Sequence, residues 1–434
     1  MPGVDWSAIP APEDAGSELR ELIVEMYPIC RSLTGDGVRE TLAIIGREVP
    51  LEITEVPSGT RVFDWTVPRE WNIRDAWIAA PDGTHVVEFR RSNLHVLGYS
   101  VPIRARLPLG ELREHLFTHA DNDDWIPFRT SYYDENWGFC LSRRQLEQLP
   151  DGEYEVVIDS SLTDGSLTYA ESFVAGALDR EVLLSTYICH PSLCNDNLSG
   201  IALVTALAKY LGRMPLRYSY RFLFGPGTIG PLSWLWKNEE RLDTIAHGLV
   251  LSCAGDPGAL TYKRSRREAA EIDQAAANVV RAAGGTVRPF EPWGGDERQF
   301  CSPGFNLPVG ALTRTPADRF PGYHSSADNL DLVHAEFLAD SFRRVLEIVD
   351  VLETNGRYLN RNPKGEPQLG KRGLYRRVAG GSSTEAALLW VLNLSDGEHT
   401  LVDISDRSGL PYPAIREAAE ALVEHELLEE APRS

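Results

Sequence analysis

Residues 186–200 read TYICHPSLCNDNLSG, and a change of character inside them decides the fold. An apolar run, EVLLSTYIC at 181–189, ends in a polar burst from His190 to Asn197, and a helix-forming run begins near Leu198. A strand that stops at a polar loop and resumes as a helix is the βα unit of an open α/β sheet. Ligands gather in such sheets beyond the carboxyl ends of the strands. A neutral imidazole at His190 and a carboxylate at Asp196 are zinc ligands by type, and a helix N-terminus beside Asp196 favours its ionised form. The same residues also read as a proline-containing turn with Asp196 as a helix cap.

The rhythm recurs outward from this segment. Apolar runs SYRFLFG (219–225), HGLVLSC (247–253) and LPVGAL (307–312) alternate with helical patterns at 201–211, 270–284 and 334–353. Fully apolar strands alternating with helices predict an α/β fold with a mainly parallel central sheet covered on both faces. The run LVLSCAGDPG (249–258) places Asp256 at the same sheet edge, although a turn aspartate reads the same way. The run FPGYHSSADNLDLV (320–333) places His324 in a polar loop before a long helix. Asp328 there is either a helix cap or a group that orients a liganding imidazole. Each feature alone is weak. Three ligand-type sites, each after an apolar strand of one sheet, point to metal bound by His190, Asp196, Asp256 and His324.

Composition limits the function classes. A chain of 434 residues predicts two or three domains. Its net charge of -20 repels nucleic acid and anionic membrane, so neither is expected as a partner. No apolar run approaches the roughly 20 residues that cross a bilayer. The first residues, MPGVDWSAIPAPEDAGSELRE, lack an apolar signal core. The 6 cysteines are scattered, as reduced thiols are. A cytoplasmic location is the expectation.

Two helices are expected over 17–48 and short alternating strands over 52–150, separated by Pro, Gly and Asp-Gly. Residues 354–381, rich in Gly, Pro, Asn and basic groups, read as connecting chain. Helices near 384–392, 400–407 and 411–426 outline a helix-turn-helix or winged helix. The expected division is an α/β core over 1–51 and 151–356, a β-rich insertion over 52–150, a linker over 357–380 and a winged helix over 381–434. That last unit has eleven acidic residues against three arginines and no lysine. DNA contact needs basic groups for phosphates, so a packing, dimerisation or docking role is expected, with homo-oligomerisation left open.

Six segments carry a family resemblance: YPICRSLTGDGVRET (27–41), YYDENWGFC (132–140), CHPSLCNDNLSG (189–200), GTIG (227–230), GDERQFCSPGFNLPVG (295–310) and YHSSADNLD (323–331). The order His190, Asp196-Asn197-x-x-Gly200, Asp256, His324 resembles that of co-catalytic zinc aminopeptidases. The closer likeness is to bacterial polysaccharide-biosynthesis proteins with an aminopeptidase-like domain. The resemblance implies a zinc-aminopeptidase-like core with an inserted small β domain and a C-terminal winged helix. It implies one or two zinc ions per chain. One takes His190, a bridging Asp196 and Asp256; the other takes Asp196, a glutamate and His324. The aminopeptidases carry a Glu-Glu pair after the next strand, the first being the general base and the second a ligand. Gly227 and Thr228 stand there instead. Gly227 accepts no proton, and Thr228 offers only a neutral hydroxyl.

A general base contributes about 10²–10⁴-fold, so its replacement matters. Asp296 and Glu297, in a glycine-rich loop, are the candidates, unless they form an ordinary solvated acidic pair. Arg264 and Arg266, in the basic run 263–267, are candidates for holding an anionic substrate group; pairing with Glu268, Glu271 and Asp273 is the alternative. Tyr133 and Trp137 suit a ligand wall or a core equally. The leading expectation is a zinc-dependent, aminopeptidase-like hydrolase of a small-molecule amide or peptide. Gly227 keeps open a catalytically altered metal- or ligand-binding protein in sugar or metabolite biosynthesis. A regulator with a pseudoenzyme sensor domain fits the acidic winged helix poorly.

Overall fold

The strand Glu181–Tyr187 lies in the middle of an eight-stranded sheet, in a computed structural model that describes residues 6, 9–374 and 383–431. In chain order the strands are β1 (Glu52–Pro57), β2 (Ser166–Val174), β3 (Glu181–Tyr187), β4 (Ser219–Gly225), β5 (Ile245–Leu251), β6 (Thr261–Lys263), β7 (Thr286–Arg288) and β8 (Val309–Thr313). Their order across the sheet is β1-β2-β4-β3-β5-β8-β6-β7. The four central strands, β4, β3, β5 and β8, run parallel, with β2 antiparallel to β4 on one side and β6 antiparallel to β8 on the other.

The alternation of side chains explains why the central strands are mostly apolar. Val182, Leu184, Tyr220, Phe222 and Phe224 point into one core, with the helices Pro12–Met26, Gly200–Leu211 and Ala335–Thr354. Leu183, Leu223 and Val250 point into the other, with Ile229, Trp234 and Phe300. A sheet buried on both faces takes mostly apolar residues in its strands, and the buried Arg221 of β4 is paired with Glu171 of β2 and Glu181 of β3.

From β3 the chain moves to β4 on one side and then returns to β5 on the other. This reversal opens a crevice at the carboxyl ends of β3, β4 and β5, the usual place for a ligand in an open α/β sheet.

The insertion forms its own four-stranded antiparallel sheet, with Glu153–Thr163 paired between Glu70–Ala79 and Ile103–Pro108. Its limits differ from the expected 52–150. Glu52–Pro57 is the edge strand β1 of the large sheet, and Glu153–Thr163 belongs to the small one. Both alternate buried and exposed positions, so pattern alone did not assign them to a sheet.

The expected linker also differs. Arg357–Asn360 is a strand between Asp396–Thr400 and Leu428–Glu430, so the winged unit begins there rather than at 381. Part of the expected linker and the start of the expected winged unit, residues 375–382, lie outside the described residues. Leu401, Ile415 and Leu422 of the winged unit share one apolar cluster with Ile272, Val345 and Leu352 of the core. Arg416 reaches both carboxylate oxygens of Asp350 at 2.9 and 2.7 Å. Among the described residues, no helix is long and apolar enough to cross a membrane.

Candidate metal centre

The polar burst after β3 folds as an irregular turn over Cys194–Ser199, with non-helical backbone at Asp196 and Asn197. Its side chains lace it to the chain after β5. Asn197 Oδ1 accepts the Cys253 N–H, Ser199 Oγ the Ala254 N–H, and Asn195 Oδ1 the Gly255 N–H, at 3.3, 2.8 and 2.9 Å. Gly200 permits the close packing: a Cβ there would stand 2.6 Å from the Leu251 carbonyl oxygen. Asp196 makes no capping bond to the helix Gly200–Leu211. Its side chain points into the crevice instead, so the helix-cap reading does not hold.

His190, Asp196 and His324 offer three donor atoms within 4.8 Å of one another. The Nε2 atoms of the two histidines are 3.2 Å apart. Asp196 Oδ2 lies 3.9 Å from His190 Nε2 and 3.1 Å from His324 Nε2. That oxygen is buried and has no hydrogen-bond partner of good geometry, so three lone-pair donors converge on one point without satisfying each other. Buried polar atoms rarely stay unsatisfied, and a metal ion is a group that these three donors could hold together.

The electrostatics agree. Burial lowers the His190 imidazole to about 4, helped by the neighbouring His324 and Arg31 charges and opposed by Asp196. Burial works against the charged form of Asp196, but the histidines and the Tyr187 hydroxyl outweigh it and hold its carboxyl low. Neutral imidazole and ionised carboxylate are the ligand forms.

The surrounding groups fix these donors. Tyr187 donates its hydroxyl to Asp196 Oδ1. Asp328 accepts the backbone N–H of Asn195 and of Asp196 at 2.6 and 2.8 Å. It therefore orients the aspartate loop, and neither a helix cap nor an imidazole. Arg31 is buried beneath the His190 loop and donates to the carbonyls of His190, Pro191 and Met26 at 2.7, 2.8 and 2.8 Å. The insertion reaches in as well. Phe128 N–H donates to the His324 carbonyl at 2.7 Å, and Phe128 packs edge-on to His324, 5.1 Å between rings. Tyr323 stacks on the other side of His324 at 3.9 Å.

Asp256 stands outside the donor group. Its Oδ2 accepts from Asn195 Nδ2 at 2.9 Å and Thr315 N at 3.2 Å, and its Oδ1 from Gly258 N at 2.7 Å and the Thr315 hydroxyl. Every strong acceptor direction is used in closing the turn after β5, which is the ordinary role of a turn aspartate.

The two acidic candidates separate. Asp296 is buried, and its Oδ1 accepts the Thr228 N–H at 2.7 Å, which brings it to the place of the missing Glu pair. Burial raises its carboxyl to about 7, and the neighbouring Glu297 adds to the effect. Its Oδ2 is buried without a partner. Thr228 itself has φ 63°, a strained value for a β-branched residue and one that gathers at functional sites. Glu297 is buried too, but pairs with Lys263. Neither acid belongs to a solvated surface pair.

The expected substrate groups are engaged elsewhere. Arg264 donates to the Glu268 carbonyl at 2.6 Å, and Arg266 to Asn306 Oδ1 at 3.0 Å. Tyr133 is half exposed against Trp65, and Trp137 stacks on His115 within the insertion. Tyr132, not Tyr133, is the more enclosed of the two, its phenol pushed up by burial and by nearby Cys189, with Asp196 a smaller contributor.

Comparison with known proteins now bears on this geometry. Residues 20–355 match the family model described as Domain of unknown function (DUF4910), and residues 356–430 match a winged helix-turn-helix model. A Clostridium acetobutylicum protein is 53% identical over 420 residues, 96% of each chain. It is provisionally named a polysaccharide biosynthesis protein with aminopeptidase-like domain. The chain belongs to the DUF4910 family. A crystal structure from the same organism, described provisionally as a peptidase, resembles this DUF4910 chain with a TM-score of 0.92 and 51% identity over 97% of each chain. The zinc aminopeptidase BSAP of Bacillus subtilis shares the fold at 11% identity, with a TM-score of 0.58 over 79% of this chain and 95% of its own. The DUF4910 core is thus an aminopeptidase-like α/β fold.

Proposed function

We propose that the chain is a zinc-dependent hydrolase of an amide or peptide bond, with Asp296 as proton acceptor in place of the usual glutamate. The convergence of His190, Asp196 and His324 around a buried, unpartnered carboxylate oxygen carries this reading. Two imidazoles and a carboxylate are a zinc set that leaves a position open. A zinc ion held there supplies Lewis acidity toward a carbonyl and lowers the pKa of water.

The chain's own groups do the rest. Tyr187 and Asp328 hold Asp196 in place, while Phe128 and Tyr323 flank the His324 imidazole. Asp296, with its carboxyl near 7, suits proton uptake at neutral pH. The helix Tyr412–Glu424 is tied to the core through Arg416 and Asp350. That docking and the acidic charge support a packing role for the winged unit rather than DNA reading.

The test is hydrolysis of a panel of aminoacyl amides, dipeptides and N-acyl amino sugars. The sugars are included because the 53%-identical relative is named for polysaccharide biosynthesis. Turnover that chelation removes, zinc restores and His190→Ala abolishes is expected. Zinc-loaded protein that cleaves nothing in the panel overturns the hydrolase reading.

A further inference from the structure

We infer that the centre holds a single metal ion, because both histidines face one oxygen of Asp196 while the Tyr187 hydroxyl is bonded to the other. This rests on reading the cluster as a metal centre and extends it to the number of ions. The co-catalytic aminopeptidases that the chain resembles place one ion on each oxygen of the bridging aspartate, with one histidine apiece. Here both histidines face the same oxygen, Asp196 Oδ2.

The distances decide between the two arrangements. Two ions in such a site lie about 3.5–4 Å apart, and histidines bound to separate ions diverge. Two donors on one tetrahedral ion, with bonds of about 2.0–2.1 Å, are about 3.3 Å apart. The Nε2 atoms are 3.2 Å apart and His324 Nε2 is 3.1 Å from Asp196 Oδ2, the single-ion spacing, while His190 Nε2 stands 3.9 Å from that oxygen.

The other oxygen, Oδ1, accepts the Tyr187 hydroxyl. Tyr187 is anchored at the end of β3, and its ring packs 5.2 Å from that of His190. Of the carboxylates that could serve a second ion, Asp296 alone stands at the place of the missing pair, bonded to the Thr228 N–H. Gly227 and Thr228 replace the carboxylate pair, and Asp256 is saturated by Asn195, Gly258 and Thr315. Chemistry at this centre therefore relies on one ion and Asp296, not on a two-metal clamp.

Zinc titration of the chelator-stripped full chain, followed by calorimetry and elemental analysis after gel filtration, tests this. The wild type should bind one equivalent. His190→Ala and His324→Ala should each lose that same ion, with affinity falling at least a hundredfold, since both bind it. In a two-ion centre each variant would keep the ion of the other histidine. Cobalt-loaded wild type should show a magnetically uncoupled spectrum. Two equivalents in the wild type, spin coupling, or one equivalent retained at full affinity by either folded variant overturns the inference and leaves the hydrolase reading standing. No metal binding by the wild type overturns both. The wild-type stoichiometry decides even if a variant fails to fold.

Discussion

The Asp328 carboxylate accepts two successive backbone N–H groups, those of Asn195 and Asp196, at 2.6 and 2.8 Å. It sets the direction in which Asp196 leaves the chain, without touching the point where the three donors meet. Asp328→Asn puts an amide N–H against one of those donors. Outer groups of this kind are worth about 10–100-fold in metal affinity. The expected outcome is a loss of that size, read by competition with a chelator, with ligands His190 and His324 intact.

Asp296 must be ionised to accept a proton, and burial raises its carboxyl to about 7. Activity should therefore rise with pH through neutrality and level off above it. Asp296→Asn should lower kcat by about 10²–10⁴-fold and remove that acid limb while zinc content stays the same. A pH profile that Asp296→Asn leaves unmoved assigns the proton acceptor elsewhere.

Asp256 makes a contrasting case. Its four hydrogen bonds close the turn between β5 and Thr315. Bonds to a charged group contribute about 1.5–3 kcal/mol each, and they fail together. Asp256→Ala should lower thermal stability by several degrees and leave the metal stoichiometry unchanged, as calorimetry and elemental analysis would report.

Arg264 and Arg266 are spent on the Glu268 carbonyl and on Asn306. Arg264→Ala and Arg266→Ala should change neither KM nor selectivity between neutral and acidic substrates by more than about twofold, in line with the small effects of substitutions away from functional groups.

His190, Asp196 and His324 were readable because each is a ligand type placed where an apolar strand of one sheet gives way to a polar loop. Asp256 met the same description and stands apart. What separates it is Thr315, 59 residues away, and no local pattern announces that partner. Arg31 was invisible for a related reason. A charged residue reads as solvated, and its burial depends on the three carbonyls of Met26, His190 and Pro191 turning inward together. Asp296 was visible as an acid in a glycine-rich loop. Its burial against Thr228, and hence its raised carboxyl, came only with the fold. The domain limits slipped where a strand's alternation suits either sheet, as at Glu52–Pro57 and Glu153–Thr163.

Residues 126–128 of the insertion are stitched to 324–326 by backbone bonds: Phe128 N–H to the His324 carbonyl, and Ser326 N–H to the Ile126 carbonyl, at 2.7 and 2.8 Å. A lobe fastened in this way cannot swing open like a lid without dragging the His324 imidazole with it.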